Sequence, residues 1–243
     1  MEHTALITGA SRGIGAAIAM RFARAGYNLS LCCHHSADDL KELADDLRQK
    51  YGIEVLTFIG DVSDFAFVSE MTAQTKQRFG KIEVLVNNAG VSYIGLIHEM
   101  TVEEWNHVLS VNLNAAFFTV KCIVPDMISR KQGKIINISS VWGNIGASCE
   151  AAYSASKGGL NAFTKALGKE LAPSNVQVNA IACGVIDTAM NHCFSEEERK
   201  ELADEIPAGR FGKAEEAAEL AYFLATGSEY LNGQILTLDG GWI

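Results

Sequence analysis

The chain has 243 residues, of which 48% are hydrophobic, and it carries a net charge of −9. This length and composition are typical of one α/β domain spanning residues 1–243, and the acidic charge argues against a nucleic-acid binder. We see no leader peptide, no apolar run long enough for a membrane helix and no C-x-x-C pair among the cysteines. We therefore expect a cytoplasmic protein with reduced thiols, no membrane contact and no metal site.

The first stretch predicts a cradle for a phosphate group. A short apolar strand, residues 4–8, runs into Gly9-Ala-Ser-Arg-Gly13-Ile-Gly15, and a helical pattern follows over residues 16–25. Glycines allow close backbone approach, and the free N–H groups at a helix N-terminus favour an anion. The spacing differs from the usual G-x-G-x-x-G, and a plain tight turn is the alternative. The position directly after the first strand favours binding.

If the phosphate belongs to a dinucleotide, the end of the second strand, residues 29–33, indicates which dinucleotide the chain would prefer. NAD-binding folds place an acid here to bond the ribose 2′-hydroxyl. The chain instead reads Cys-Cys-His34-His35-Ser, and no acid occurs before Asp38. Arg12 in the glycine turn could face a 2′-phosphate, so the sequence favours NADP(H). His34 either joins this contact or is only an exposed turn residue.

Strands and helices alternate along the whole chain. Further strands are predicted at residues 54–59, 82–86, 134–138, 177–181 and 235–238, with helices at 38–51, 64–79, 102–127, 153–171 and 215–225. This order predicts a three-layer, doubly wound parallel sheet of the Rossmann type, whose ligands bind at the carboxyl ends of the strands. Asp61 and the run Asn87-Asn88-Ala89-Gly90 lie at such ends. Asp61 could accept from an adenine amino group or cap the next helix.

Candidate catalytic residues follow in the second half. Tyr153 and Lys157 are four apart and share a helix face, where the ammonium would lower the phenol pKa and suit it to proton transfer. An exposed pair at a helix start is the alternative. Ser139 and Ser140 directly follow the strand before this helix, at its carboxyl end, and no G-x-S-x-G elbow supports a hydrolase.

These motifs together, with Leu238-Asp-Gly-Gly241 near the C-terminus, resemble the short-chain dehydrogenase/reductase family over essentially the whole chain. Within it, the chain is most similar to 3-oxoacyl-[acyl-carrier-protein] reductases. The resemblance implies that Ser140, rather than the runner-up Ser139, bonds the substrate carbonyl and that Tyr153 supplies the proton. Lys157 would hold the nicotinamide ribose, and Asn112 would mark a helix irregularity and hold a water that bridges to the lysine.

The resemblance also implies a set of cofactor contacts. The expected NADP(H)-binding residues are Gly9, Ser11, Arg12, Gly13, Ile14, Gly15, His34, Asp61, Val62, Asn88, Ala89, Gly90, Tyr153, Lys157, Ile186 and Thr188. Cys183 stands where the family usually has a proline, which leaves the backbone before Ile186 less restrained.

Several residues lie where the substrate is expected. Ser140 and Tyr153 are the substrate contacts, and Trp142 and Cys149 either face the substrate or only pack. The polar run within residues 191–206 suits a mobile lid or a solvated helix face.

The resemblance favours a 3-oxoacyl-[acyl-carrier-protein] reductase of fatty acid synthesis. Lys131 matches a basic position that meets the acidic carrier protein, but Ser174 stands where arginine is common, so weak docking is expected. The stretch from Ser140 to Glu150 is also similar to reductases of the 5-aminopentanone modification on elongation factor P. Another small-ketone, sugar-alcohol or steroid-alcohol dehydrogenase is a further alternative. An NADP-binding sensor or scaffold subunit is the non-enzymatic one, disfavoured because all four catalytic positions are filled.

The helices at residues 102–127 and 153–171 carry more apolar residues than one sheet face needs, and the chain ends Gly-Gly-Trp242-Ile243. A helix that is apolar around most of its circumference needs burial on several sides. We therefore expect at least a homodimer, and a homotetramer as in the family. The alternative is that these residues fill one larger core.

Overall fold

The computed structural model describes residues 3–189, 195–227 and 229–243, and its centre is a seven-stranded sheet of order β3-β2-β1-β4-β5-β6-β7. Every pairing of neighbouring strands is parallel. The chain winds outward from β1 to β3, returns to β4 beside β1, and winds outward the other way to β7. This confirms the doubly wound fold of the Rossmann type. The strands are β1 His3–Thr8, β2 Tyr27–Cys33, β3 Val55–Ile59, β4 Val84–Asn87, β5 Gly133–Ser140, β6 Val176–Cys183 and β7 Ile235–Leu238.

Helices cover both faces of the sheet, because alternate residues of each strand point to opposite sides. Ala5 and Ile7 of β1 belong to one buried cluster, together with residues of α1, α2 and α9. Leu6 belongs to a second cluster with residues of α3, α5 and α7. The helices are α1 Gly13–Arg24, α2 Ala37–Tyr51, α3 Phe65–Phe79, α4 Val102–Leu109, α5 Ala115–Arg130, α6 Trp142–Ile145, α7 Ala151–Leu171, α8 Glu196–Glu205 and α9 Ala214–Thr226.

Some predicted boundaries are wrong by a few residues in ways that affect the site. Helix α1 begins at Gly13, so the glycine turn overlaps its first turn. Strands β5 and β6 run on to Ser140 and Cys183, so both residues lie on strands rather than after them. Helix α7 begins at Ala151, which places Tyr153 inside its first turn.

One long helical segment, Val102–Arg130, consists of α4, a π-helical turn at Ser110–Asn114 and α5. Its length and hydropathy would suit a membrane span, which corrects the expectation that no segment is apolar enough. A core helix of a folded domain passes the same test, and here Ile123 and Met127 are fully buried in the second cluster.

Candidate active site

The candidate site lies at the carboxyl edge of the sheet, where β1 and β4 are neighbours although about 80 residues separate them along the chain. This is the point at which the strand order reverses. Helices leave on opposite faces there, so a crevice opens between the strand ends. Thr8 and Gly9 border it on one side, and Asn88 and Ala89 border it on the other.

Hydrogen bonds fasten the glycine turn to the end of β4. The Asn88 side-chain amide donates to the carbonyls of Thr8 and Gly9, both at 2.9 Å. The Thr8 hydroxyl accepts from the backbone N–H groups of Asn88 and Ala89, both at 3.0 Å. Gly9 has a φ of +64°, and a Cβ there would lie 2.8 Å from the Ala89 Cα, so only glycine fits.

The rest of the turn opens towards the crevice at the N-terminus of α1. Gly13 has a φ of +57°, and a Cβ there would lie 3.3 Å from a Thr188 methyl group, which places Thr188 across from the turn. A Cβ at Gly15 would collide with the Gly9 carbonyl oxygen. Ile14 packs on the core below, and Arg12 is exposed at the N-cap of α1. The backbone N–H groups at the start of α1 and the glycines before them form a cradle that suits an anion.

Residues after β2 and β3 form the next part of this edge. The Ser11 hydroxyl bonds the Cys33 thiol, which brings the glycine turn beside the end of β2. The exposed rings of His34 and His35 lie 3.8 Å apart, centroid to centroid. Val62 is buried below this part of the edge.

Asp61 does not cap the next helix, so that alternative is wrong. Asp64 is the N-cap of α3 and accepts from the Ala66 N–H at 2.8 Å. Asp61 accepts from the Ser63 N–H at 2.8 Å and remains half-buried at the crevice. Burial acts to raise its pKa, but hydrogen bonds from Ser63 and the charges of His34 and His107 hold that pKa below the ordinary value.

Asn112 lies in the π-helical turn, which is the helix irregularity expected at this residue. Its carbonyl oxygen accepts from the Val91 N–H at 2.8 Å, and its amide donates to the Val91 carbonyl and the Ser156 hydroxyl, both at 2.9 Å. A Cβ at Gly90 would lie 3.4 Å from the Asn112 Oδ1 and 3.5 Å from the Lys157 Nζ. Asn112 therefore ties α7 to the segment after β4.

The two serines at the end of β5 have different partners on α7. The Ser139 hydroxyl donates to the Asn161 Oδ1 at 2.6 Å. Ser140 is the serine whose hydroxyl bonds the Tyr153 phenol. Ser140 also accepts from the Trp142 N–H at 3.2 Å, which orients its hydroxyl. The geometry therefore favours Ser140 over Ser139 as the partner of Tyr153.

Lys157 lies behind Tyr153 on α7. It is 4% exposed, its Nζ donates to the Ile138 carbonyl at 2.8 Å, and the same Nζ lies 5.6 Å from the centre of the Tyr153 ring. Burial lowers the pKa of Lys157 to about 8. The expectation that the Lys157 ammonium lowers the pKa of Tyr153 is wrong for the protein without a bound cofactor. Burial raises the pKa of Tyr153, and the hydrogen bond from Ser140 opposes this only in part.

Cys183, the residue in the usual proline position, is held by ordinary strand pairing. It pairs with Ser140 on β5 and Leu238 on β7, and it is buried. Burial raises the pKa of its thiol to about 12 against the opposing charge of Lys157. The following segment is also held, because Ile186 bridges to Gly212 and is buried. The backbone before Ile186 is thus restrained without a proline.

Sequence reasoning missed Glu150 and Trp242 at this site. Glu150 precedes α7, and its carboxylate accepts from the Ser92 hydroxyl at 2.8 Å and acts on the pKa of Tyr153. The Cys149 carbonyl accepts from the Gly95 N–H at 2.8 Å, so two bonds join the segments on either side of the substrate opening. The position of Glu150 three residues before Tyr153 was a usable signal. Trp242 lies against Trp142, with ring centroids 5.0 Å apart, and sequence spacing gave no sign of this contact.

The expected lid is only partly within the described residues, because 191–194 lie outside them. The described part forms α8, which begins with a capping box at Ser195 and has no buried residue. Arg199 bonds Asp187 at 2.7 Å and lies over the Phe211 ring. A solvated helix face therefore describes α8, and its movement as a lid stays a prediction.

A family model described as short chain dehydrogenase matches residues 3–199. The chain belongs to the short-chain dehydrogenase family. Two curated relatives are each 39% identical to it. One is the uncharacterized oxidoreductase YmfI of Bacillus subtilis, matched over 100% of this chain and 99% of the relative. The other is the 3-oxoacyl-[acyl-carrier-protein] reductase FabG of Thermotoga maritima, matched over 98% and 96%.

Solved structures of the family have the same fold. YwfH, an NADPH-dependent reductase involved in bacilysin biosynthesis, superposes with a TM-score of 0.95 at 27% identity, covering 100% of this chain and 99% of its own. A variant of actinorhodin polyketide ketoreductase with NADPH gives 0.94 at 33% identity, covering 99% and 97%. This short-chain dehydrogenase is therefore an oxidoreductase, and the crevice described above is its candidate active site.

Proposed function

We propose that the protein reduces a ketone to a secondary alcohol with NADPH, as a cytoplasmic enzyme. The observation that carries this proposal is that Ser140, Tyr153 and Lys157 meet at the same crevice as the glycine turn. Nearly full-length similarity to a 3-oxoacyl-[acyl-carrier-protein] reductase and to two NADPH-linked reductase structures supports it.

The crevice fits a dinucleotide. The glycine turn at the N-terminus of α1 would take the pyrophosphate, and Asp61 and Val62 would border the adenine. The exposed Arg12 and His34 would face a ribose 2′-phosphate, and β2 ends without an acid. Asn88, Ala89, Gly90, Ile186 and Thr188 would line the nicotinamide half.

Bound NADPH would supply the hydride, and the chain would manage the charge that develops on the substrate oxygen. Ser140 and Tyr153 would donate hydrogen bonds to that oxygen, and these bonds strengthen as it becomes an alkoxide. Tyr153 would then release its proton to the oxygen. Lys157 would hold the ribose hydroxyls and offset the charge left on the phenolate, and Asn112 would fix the position of α7 through Ser156.

A 3-oxoacyl group is the leading substrate, since FabG relatives are named for it. The presumed carrier contacts do not face this site within one chain. Lys131 and Ser174 precede β5 and β6, at the amino edge of the sheet and opposite Ser140. Within one chain Lys131 therefore lies away from Ser140, and we propose only weak use of an acyl carrier protein.

Glu150 favours a second candidate, the reduction of a ketone that carries an amine. The Glu150 carboxylate lies at the start of α7, three residues before Tyr153, and is held by the Ser92 hydroxyl. It would attract the ammonium group of a substrate but not a neutral acyl chain. The 5-aminopentanone modification of elongation factor P has this chemistry.

NADPH oxidation, followed by absorbance, tests both candidates with acetoacetyl thioester and with a small amino ketone. We expect turnover of at least one, and a lower catalytic efficiency with NADH. Glu150→Gln should weaken only the amino ketone, by about tenfold, whereas an equal effect on both substrates would contradict the second candidate. Turnover of neither substrate, or equal efficiency with NADH, would contradict the main proposal.

A further inference from the structure

The C-terminal residues form a built turn rather than a loose end. The Asp239 carboxylate accepts from the Gly241 and Ile243 N–H groups, both at 3.0 Å. Gly240 and Gly241 have φ values of +69° and +86°, which residues with a Cβ rarely adopt. Asp239 is also packed tightly, because a Cβ at Gly184 would lie 2.8 Å from the Asp239 Cβ. The direction of the chain after β7 is therefore fixed.

This turn directs Trp242 onto Trp142. The two half-buried rings are tilted by 57°, with their centroids 5.0 Å apart. The backbone N–H of Trp142 donates to the Ser140 hydroxyl, so the residue that carries one ring of the pair is held next to the group that would bond the substrate carbonyl. Aromatic pairs in such tilted arrangements attract each other beyond simple burial.

The other side of the turn contacts the segment after α8. The Gly240 carbonyl accepts from the Ala208 N–H at 3.1 Å. A Cβ at Gly240 would lie 2.9 Å from side-chain atoms of Ala208 and Ile206, and Ile206 is 2% exposed. The turn thus contacts both the segment that follows α8 and the segment that follows Ser140.

We propose that Trp142 and Trp242 form an aromatic wall beside Ser140 that limits the substrate to ketones with a short chain. This rests on the proposed function and names the substrate class of the same site. Trp242 is a specificity-determining residue that comes from beyond the stretch matched by the family model. Removing its indole would open space that a longer chain can fill, and each methylene accommodated changes relative efficiency severalfold or more.

The test uses ethyl acetoacetate and ethyl 3-oxodecanoate with NADPH. We expect the wild type to prefer the shorter ester and Trp242→Ala to raise the efficiency of the longer relative to the shorter by at least about tenfold. Trp242→Phe should give a smaller change. Trp105→Phe, which alters the third tryptophan, on α4, is the matched control and should leave the ratio unchanged.

Two further readouts separate this inference from the function it rests on. Near-ultraviolet circular dichroism should lose the same coupled indole signal in Trp142→Phe and Trp242→Phe but keep it in Trp105→Phe. Fluorescence titration should show unchanged NADPH affinity in the Trp242 variants. An unchanged ester ratio while NADPH is still oxidised would overturn the wall alone. A wild type that fails to oxidise NADPH with any of the ketones tested would overturn the proposed function and the wall with it.

Discussion

Tyr153 and Lys157 respond to the same burial in opposite ways. Burial raises the pKa of the phenol, which keeps its proton in place, and lowers that of the lysine to about 8. A proton donor needs the protonated phenol, and it needs a cation nearby only when the proton leaves. The free protein therefore holds the donor in its acid form, and an ammonium at Lys157 would assist its release.

We expect Tyr153→Phe to lower the rate of ketone reduction by about a thousandfold, since it removes the proton donor and little volume. NADPH affinity, measured by fluorescence, should stay within about twofold because no charge is lost. Lys157→Ala is the comparison variant and should reduce both turnover and affinity. Full turnover by Tyr153→Phe would show that another group gives the proton.

A pH dependence follows from Lys157. Its pKa in the folded protein, about 8, lies below the ordinary 10.5, so the ammonium is lost as pH rises through about 8. We expect the catalytic efficiency with NADPH to fall above that pH. The sign for stability is opposite, because the buried charge is unfavourable below pH 8 and this cost is relieved between about pH 8 and 10.5. A flat efficiency profile up to pH 10 would contradict the assignment.

At the scale of elements, Asn112 and the π-helical turn join the two halves of the site. The expected effect of Asn112→Ala is a loss of about 2 kcal/mol or more in the free energy of unfolding, because Val91 and Ser156 lose their buried partner. Activity should fall as well. Asn114→Ala, on the exposed side of the same turn, is the control and should change stability by less than about 0.5 kcal/mol. Urea unfolding measures both, and equal effects would contradict the role of Asn112.

The elements show what the sequence could predict. The order of apolar segments and glycine turns was enough to predict the fold, because strands, helices and turns can each be recognised from a local sequence pattern. The family resemblance supplied the choice of Ser140 over Ser139, whereas the residues alone left it open, because only the folded chain shows that the Ser139 hydroxyl bonds Asn161. The phenol pKa needed the burial of Tyr153, and the contact of Trp242 with Trp142 joins residues 100 apart in number. Such distant contacts leave no local pattern.

At the scale of the whole molecule, the expected assembly rests on less apolar surface than the sequence indicated. The core buries Val111, Ile123 and Leu167, and similar residues on α5 and α7, as the larger-core alternative proposed. Trp242 contacts its own chain. The large apolar residues that remain exposed on or near α5 include Phe117 at 47%, Ile128 at 42% and Phe65 at 41%. Phe117 and Phe65 form an aromatic cluster around the Phe118 ring. This aromatic cluster is the surface on which the proposed pairing depends.

We still expect a homotetramer, of about four times 26.2 kDa by light scattering at micromolar concentration. Phe117→Ser should shift the protein to a smaller species, because it removes the most exposed ring of this cluster. Ile59→Ser, which changes an equally exposed residue on the edge strand β3, should not. A fully active species of about 26 kDa in the wild type would contradict the assembly.

The bond between Asn88 and the glycine turn has a consequence for biosynthesis. Its two ends are 80 residues apart, and β1 pairs with β4 only after the intervening chain exists. At about 5–20 residues per second, a ribosome needs roughly 4–16 seconds to supply that stretch. During this time the first glycine turn has no β4 to hold it, so the nascent N-terminal half cannot yet bind a dinucleotide. Cofactor capture therefore belongs to the late stage of synthesis, after Thr188 has emerged, and nascent chains stalled before Asn88 should be recognised by chaperones rather than protected by NADPH.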